Sequence, residues 1–340
     1  MRSKLNNLVR GLLVIAVIFL TVTATHADTW KFAFEEGFSD PQGLYALKFK
    51  EEIEKNSNHK IKLYPIGTLG ETADAMEQAQ AGLLQFIDQS PGYTGAMIPE
   101  ADVFQVPYLM PSDPEKLDKF FKESKAINEM FPKIYRKHGL ELLSIFPEGE
   151  QAVTTMKEFR SPADLAGMKI RTMPSTLLLE TYKAFGASPI AMTWGELIGA
   201  LKTNMVDGQE NPTVWIEAYG LDELTKVLTY TGHNHYTTAV MANGNFYNKL
   251  SSADKKLVQN ATAASQKYIL EKAKDMDALG LGRIVRSNPD YKIVTLTEKE
   301  RLLFKEKAKQ VEKKFIELAG KKGEEILKQM KADLKAIEAK

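Results

Sequence analysis

The chain has 340 residues, no cysteine, and nearly balanced charge, with 45 Lys and Arg residues against 44 Asp and Glu residues. The lack of cysteine excludes thiol catalysis, disulfides and Cys-ligated metals. A formal net charge of +1 offers no basic footprint for nucleic acid, so we expect no nucleic-acid partner. A chain of this length usually folds as two units rather than around one core.

The first 27 residues have the order of a secretory signal. Three basic residues precede an apolar run over residues 11–20, and small residues before Asp28 offer a cleavage point. The apolar run is shorter than the roughly 20 residues of a membrane-spanning helix, so we expect cleavage rather than an anchor. Cleavage leaves 313 of the 340 residues, with a formal charge of about −2.

Strand and helix patterns alternate along the chain, which predicts an α/β fold. The predicted strands are 30–34, 61–64, 84–87, 140–146, 168–172, 227–231 and 237–242. The predicted helices are 42–55, 71–82, 116–138 with a break near Pro132, 175–185, 193–202, 251–279, and two C-terminal helices separated by Gly320. A capping box, Thr193 with Glu196, marks the start of one helix.

The chain shows no repeat and no low-complexity linker, so the two lobes are expected to be joined by strands and a helix. We expect residues 28–149 and 237–278 to form the first lobe. Residues 150–236 and 279–340, with the C-terminal helices, are expected to form the second. The strands at 227–231 and 237–242 are candidates for crossing between the lobes.

Motifs typical of enzymes are absent, because the chain has no HExxH, no G-x-S-x-G and no P-loop. Gly280-Leu281-Gly282 follows a helix rather than a strand, so we interpret it as a turn and not as a dinucleotide loop. His233 and His235 would share one face of a strand. Without a third ligand we interpret them as structural or surface histidines. The sequence therefore predicts a non-enzyme without a metal or cofactor.

Two segments favour an anion-binding site. Arg171 lies at the end of a predicted strand, the edge where clefts open in α/β folds. Its planar guanidinium can hold a carboxylate or sulfonate with two parallel hydrogen bonds, although an isolated arginine there is also typical of a surface ion pair. Residues 207–212 are polar but flanked by apolar residues. Such groups need partners, either a ligand or a hydrogen-bonded turn that caps the next helix.

Three segments closely resemble the periplasmic substrate-binding proteins of TRAP transporters (DctP-type, family 7). They are Ser-Pro-Ala-Asp-Leu-Ala-Gly-Met-Lys-Ile-Arg at 161–171, Thr-Trp-Gly-Glu-Leu at 193–197 and Asp-Gly-Gln-Glu-Asn-Pro at 207–212. The resemblance extends over nearly the whole chain after the signal. It implies a two-lobed periplasmic-binding-protein (Venus-flytrap) fold, with strand crossings and a long helix spanning both lobes. It also implies a periplasmic receptor that closes on a ligand and delivers it to the small and large permease subunits.

The resemblance also implies which residues bind the ligand. The family's anion-binding arginine falls on Arg171, its asparagine partner on Asn211 and an aromatic lining position on Trp194. Contact positions of the first lobe fall on Glu35, Glu71 and Gln89.

Gln151 departs from the family pattern. Many members have a second arginine at this position, about twenty residues before the first. A neutral amide cannot balance a second negative charge, and a buried uncompensated carboxylate costs several kcal/mol. We therefore expect a small organic monoanion with a polar tail, such as isethionate, another short sulfonate or a small monocarboxylate. The alternatives are a C4-dicarboxylate receptor and a ligand-sensing subunit of a signalling system. A monomer is expected.

Overall fold

The structure is a computed structural model that describes residues 28–339, apart from the side chain of Lys274. The predicted signal, residues 1–27, lies outside this range. Within the range, no helix combines the length and the apolar character needed to cross a membrane.

Strands and helices alternate through most of the chain. The strands are β1 (Thr29–Phe34), β2 (Lys60–Tyr64), β3 (Phe86–Gln89), β4 (Leu140–Thr155), β5 (Lys169–Thr172), β6 (Ser188–Ala191), β7 (Gly208–Pro212), β8 (Val227–Asn243) and β9 (Lys292–Thr295). The helices are α1 (Pro41–Asn56), α2 (Thr72–Gln80), α3 (Pro91–Thr94), α4 (Pro114–Glu123), α5 (Phe131–Lys137), α6 (Thr176–Ala184), α7 (Trp194–Lys202), α8 (Thr213–Ala218), α9 (Gly244–Lys249), α10 (Ser252–Ser287) and α11 (Glu298–Glu338). Short 3₁₀ segments cover Pro99–Gln105 and Pro162–Leu165, and a π-helical turn covers Ala126–Met130.

Across the described residues, the strands form one mixed sheet in the order β2-β1-β3-β8-β4-β7-β5-β6, with β9 also paired to β8. The central strands β4 and β8 are antiparallel and unusually long, with 16 and 17 residues. The end of β8 pairs with β3, whereas the far end of β4 pairs with β7. Both strands therefore cross from one half of the molecule to the other. The two strands predicted at 227–231 and 237–242 are the two ends of β8.

The molecule has two lobes, each with its own core. We call the β1–β3 side the first lobe, whose core includes Phe32, Phe49 and Phe86. We call the β5–β7 side the second lobe, whose core includes Leu197 and Leu201. The fold is thus the two-lobed α/β arrangement that the sequence predicts.

Helix α10 spans both lobes, as expected. Its residues Val258 and Ile269 pack in the first-lobe core, and Ile284 packs in the second-lobe core. Together with β4 and β8, this helix replaces a flexible linker as the connection between lobes.

Helix α11 also contacts both lobes. Phe304 packs in a second-lobe core, whereas Phe315 and Met330 pack in a first-lobe core. The predicted break at Gly320 is present as a kink with a φ of 62°. The sequence analysis assigns all of residues 279–340 to the second lobe. That lobe boundary remains a prediction, and α11 packs against both lobes.

The interpretation of Gly280-Leu281-Gly282 as a turn is wrong, because all three residues lie inside α10. Gly280 is buried where α10 meets α8. A Cβ atom at Gly280 would lie 3.2 Å from the Cα of Val214 and 3.3 Å from the carbonyl oxygen of Thr213. The glycine therefore permits a close approach of two helices rather than ending one of them.

The two glycines of α10 give a matched test of this close approach. Replacement of Gly280 by Leu should lower the free energy of unfolding by about 1–3 kcal/mol, because the new side chain meets fixed backbone. Replacement of Gly282 by Leu should raise it by up to about 1 kcal/mol, because a Cβ there meets no atom within 4 Å. Urea denaturation measures both, and equal effects of the two substitutions would contradict the packing argument.

Candidate ligand-binding site

A small cavity lies between the lobes. Both lobes and the crossing strand β8 contribute to its walls. Its lining residues are Glu35, Ile66, Thr72, Tyr93, Arg171, Met173, Trp194, Asn211, Trp215 and Tyr236. The lining combines aromatic side chains with a few polar and charged groups, as is typical of ligand pockets.

Arg171 lies in β5 and is only 2% exposed. Its Nε and Nη2 atoms donate to the carbonyl oxygen of Met192 at 3.2 and 3.0 Å. These contacts leave part of its five N–H groups for a ligand. No salt bridge to Arg171 occurs among residues 28–339. Burial lowers the pKa of the guanidinium, but arginine remains charged. A buried cation without an anion favours an anionic ligand group.

Strand β7 brings Asn211 beside Arg171. Arg171 is in register with Gln209, and Asn211 pairs with Ala152 of β4. Alternate residues of a strand share a face, so Gln209 and Asn211 point to the same side. The Nδ2 atom of Asn211 donates to Oε1 of Gln209. The polar segment 207–212 is therefore mainly a strand and not the hydrogen-bonded turn considered as an alternative.

Three aromatic rings of the cavity lining form what we call the aromatic box: Trp194, Trp215 and Tyr236. Tyr219 does not line the cavity but packs against this box. The ring centroids of Trp194 lie 5.0 Å from those of Trp215 and of Tyr219, and Trp215 lies 5.8 Å from Tyr236. The guanidinium carbon of Arg171 lies 5.9 Å from the Trp194 ring. Aromatic faces attract organic cations as well as apolar groups. Trp215 was not predicted, although its spacing four residues after Asn211 is a signal in the sequence.

Glu35 follows β1 directly and contributes to the first-lobe wall of the cavity. Its Oε2 atom accepts hydrogen bonds from the Ser90 amide at 3.0 Å and from the Tyr236 hydroxyl at 3.3 Å. Its Oε1 atom is buried and has no partner among the described residues. Burial raises the pKa of Glu35 to about 8, against the lowering effect of the Ser90 amide. A ligand N–H group could therefore bind at Oε1.

More buried acids lie behind Glu35. Gln42 donates to Glu148, and Asp88 accepts from the Thr238 hydroxyl. The negative charge of Glu148 adds to the effect of burial in raising the pKa of Glu36, because two neighbouring buried carboxylates disfavour each other's ionisation. Burial raises the pKa values of Glu36, Asp88 and Glu148, that of Glu148 to about 7. The cavity therefore has a cationic end at Arg171 and an acidic end at Glu35.

The structure brings four of the predicted site residues together in one cavity: Arg171, Asn211, Trp194 and Glu35. The first three come from the second lobe and Glu35 comes from the first. Their convergence agrees with an interlobe binding site, and their roles in binding remain predictions.

The other three predicted residues do not line this cavity. Gln89 is buried and donates to the carbonyl oxygen of Thr72 at 2.6 Å. Gln151 is buried in β4 beside Pro212. Glu71 is the exposed N-cap residue of α2, and its Oε1 atom lies 3.8 Å from where a Cβ atom at Gly195 would be. Ligand contacts by these three residues remain predictions, because none of the three lines the cavity.

The two histidines have protein partners. His233 hydrogen-bonds Glu210 at 2.9 Å, and His235 contacts the carbonyl oxygen of Pro111 at 3.2 Å. Among the described residues, no group of three potential ligands is arranged to hold a metal ion. This arrangement fits the structural interpretation of both side chains.

The raised pKa of Glu148 makes stability depend on pH. Burial raises the pKa of Glu148 from 4.5 to about 7, so the folded state binds more protons than the unfolded state between these values. Its stabilising effect is complete below about pH 4.5 and is lost as the pH rises through about 7. The parent should therefore lose about 1–3 kcal/mol more than Glu148→Gln between pH 5.5 and 8, measured by urea denaturation.

Glu317→Gln is the control, because Glu317 is an exposed carboxylate of α11. It should follow the parent at both pH values. Identical pH dependence in the parent and in Glu148→Gln would show that Glu148 does not hold the proton.

Comparisons with known proteins agree with this architecture. The family described as "Bacterial extracellular solute-binding protein, family 7" matches residues 32–318. The ectoine/5-hydroxyectoine-binding periplasmic protein UehA of Ruegeria pomeroyi is 54% identical over 314 residues, covering 92% of this chain and 93% of that protein. The ectoine-binding periplasmic protein TeaA of Halomonas elongata is 49% identical over 317 residues, covering 93% of each chain.

A solved structure extends the similarity to three dimensions. The periplasmic ectoine-binding protein of the TeaABC TRAP transporter of Halomonas elongata superposes with a TM-score of 0.90 at 50% identity, covering 91% of this chain and 100% of that chain. These relatives are binding proteins of the periplasm. The chain belongs to family 7 of the bacterial extracellular solute-binding proteins and is a periplasmic receptor of the TRAP transporter class.

Proposed function

We propose that this receptor captures ectoine or 5-hydroxyectoine and delivers it to the small and large membrane subunits of a TRAP permease. The observation that carries the proposal is the dipolar cavity, with Arg171 and Asn211 at one end and Glu35 at the other. Ectoine is a compact ring with one carboxylate and one cationic amidine, so it has the matching separation of charge. The names of UehA and TeaA support the same ligand class.

In the proposed complex, the ligand carboxylate binds the free N–H groups of Arg171 and the side-chain amide of Asn211. The amidine N–H groups donate to the unpartnered Oε1 atom of Glu35. The flat, delocalised cation packs against Trp194 and Trp215, whose faces favour positive charge. Each end of the ligand therefore compensates a buried group that lacks a partner of opposite charge.

This ligand replaces the monoanion expected from the sequence. Isethionate or a small monocarboxylate would satisfy Arg171 but would leave the acidic end of the cavity without a cation. A C4-dicarboxylate would place its second carboxylate beside Glu35, and Glu35 would then have to stay protonated, because two carboxylates in a buried site cannot both ionise.

Lobe closure provides the capture step. Because Glu35 and Arg171 come from different lobes, both ends of the ligand are held only when the lobes meet. Closure also removes water, which strengthens the charged contacts. The ligand shifts the protein toward the closed state by its greater affinity for that state. The closed protein is then the form that docks on the permease.

Arg171 gives the direct test of this proposal. Arg171→Ala should weaken ectoine binding by about 3 kcal/mol, roughly 150-fold, because a buried charged contact is lost. Isothermal titration calorimetry of the mature protein measures this change. Arg283→Ala is the control, because Arg283 is 48% exposed, pairs with Glu217, and does not line the cavity. Near-parental affinity of Arg171→Ala, or no ectoine binding by the parent, would overturn the proposal.

A further inference from the structure

A contact between the lobes lies behind the aromatic box and outside the cavity lining. Tyr219 follows α8 in the second lobe, and its ring packs on Trp194 at 5.0 Å and on Trp215 at 5.5 Å. Its hydroxyl donates to Oδ2 of Asp40 at 3.0 Å. Asp40 precedes α1 in the first lobe. One side chain therefore contacts the wall of the binding site with its ring and the opposite lobe with its hydroxyl.

The surroundings of Asp40 are arranged around this contact. Asp40 is 3% exposed, and its Oδ2 atom also accepts the amide of Gly37 at 3.0 Å. A Cβ atom at Gly37 would lie 3.0 Å from Oδ2 of Asp40 and 3.5 Å from the Tyr219 hydroxyl. The absence of a side chain at Gly37 thus leaves room for the hydroxyl to approach. Burial, and then the negative charge of Asp40, raise the pKa of Tyr219, so the hydroxyl remains a donor.

Separation of the lobes would break this hydrogen bond, because its two partners belong to different lobes. Tyr219 would then lose the hydrogen bond to Asp40 that fixes the position of its hydroxyl group. Trp194 and Trp215 line the cavity directly, so the position of Tyr219 affects the ligand through them. A hydrogen bond to an ionised, buried acceptor is among the stronger ones in proteins.

We propose that Asp40 and Tyr219 form an interlobe latch that holds the aromatic box in place and sets how slowly bound ligand leaves. Both are positioning residues, since neither lines the cavity. This proposal rests on the proposed function in one respect, because it requires a ligand that binds inside the cavity. Because the latch forms upon closure, it acts on the dissociation rate and not on the first encounter with ligand.

Stopped-flow tryptophan fluorescence with ectoine as the probe tests the latch, since two of the three tryptophans belong to the aromatic box. Tyr219→Phe keeps the ring and removes the hydroxyl. We expect its dissociation rate to rise about tenfold while its association rate stays within about twofold of the parent. Asp40→Asn should act in the same direction, and the double variant should add little to either single change because both remove one interaction.

Tyr291→Phe is the matched control, because it removes a tyrosine hydroxyl that contacts Thr225 in the second lobe, away from the cavity. It should leave both rates unchanged. An unchanged dissociation rate in Tyr219→Phe would overturn the latch, as would strictly additive effects in the double variant. If Asp40→Asn does not fold, Tyr219→Phe alone decides between these outcomes.

Failure of the proposed function gives a different result, namely no fluorescence response of the parent to ectoine. The latch is then tested without ligand, through spin labels on single cysteines placed at Lys55 and Lys202, in a chain that has no native cysteine. Loss of the short-distance population in Tyr219→Phe, relative to Tyr291→Phe, would support the latch. Identical distance distributions in these two variants would overturn it.

Discussion

The structure depends on one buried guanidinium that no acid of the described chain neutralises. Arg171 is 2% exposed, and its guanidinium donates to the carbonyl oxygen of Met192. This contact satisfies hydrogen bonds but does not cancel the charge. An isolated buried cation is unfavourable. In the proposed complex, the carboxylate of the ligand supplies the missing negative charge.

The second constraint is a group of buried acids on the first-lobe side of the cavity. Glu35 has one unpartnered carboxyl oxygen, and burial raises the pKa values of Glu36 and Glu148. Excess acid on one side and an unpaired arginine on the other make a dipolar cavity. Because the two sides belong to different lobes, the proposed zwitterionic ligand would favour closure more than an anion or a cation alone. In the proposed complex, ligand choice and lobe closure therefore have the same physical origin.

Much of the fold could be predicted from local patterns. The capping box of Thr193 and Glu196 locates the start of α7, and Gly320 correctly marks the kink of α11. Gly280 shows the limit of such reasoning. A sequence alone does not distinguish a glycine that ends a helix from a glycine that lets a neighbouring helix approach. For Gly280, the close contact with α8 shows that it is the second kind. Similarly, the polar residues in the middle of β8 led to a prediction of two short strands, where the structure has a single long one.

The cationic end of the site was predictable, because Arg171 and Asn211 lie in recognisable segments. The acidic end was predictable only in part. The family resemblance implied Glu35, but Glu36 and Glu148 are far apart in sequence and come together only when β1 and β4 are placed in one sheet. Predicting the ligand from Arg171 and Gln151 led to a monoanion. The aromatic box was likewise only partly visible, since Trp194 lies in a recognisable segment but Tyr236 belongs to a crossing strand.

The sign of proton transfer on binding tests the dipolar cavity most directly. Burial raises the pKa of Glu35 to about 8, so at pH 7 its carboxyl is mostly protonated before ligand binds. A ligand cation beside it lowers that pKa, so ectoine binding should release close to one proton. Titration calorimetry in buffers of different ionisation enthalpy should show this release in the parent and not in Glu35→Gln. Proton uptake, or no proton exchange in the parent, would contradict the account, because an anion facing Glu35 keeps it protonated.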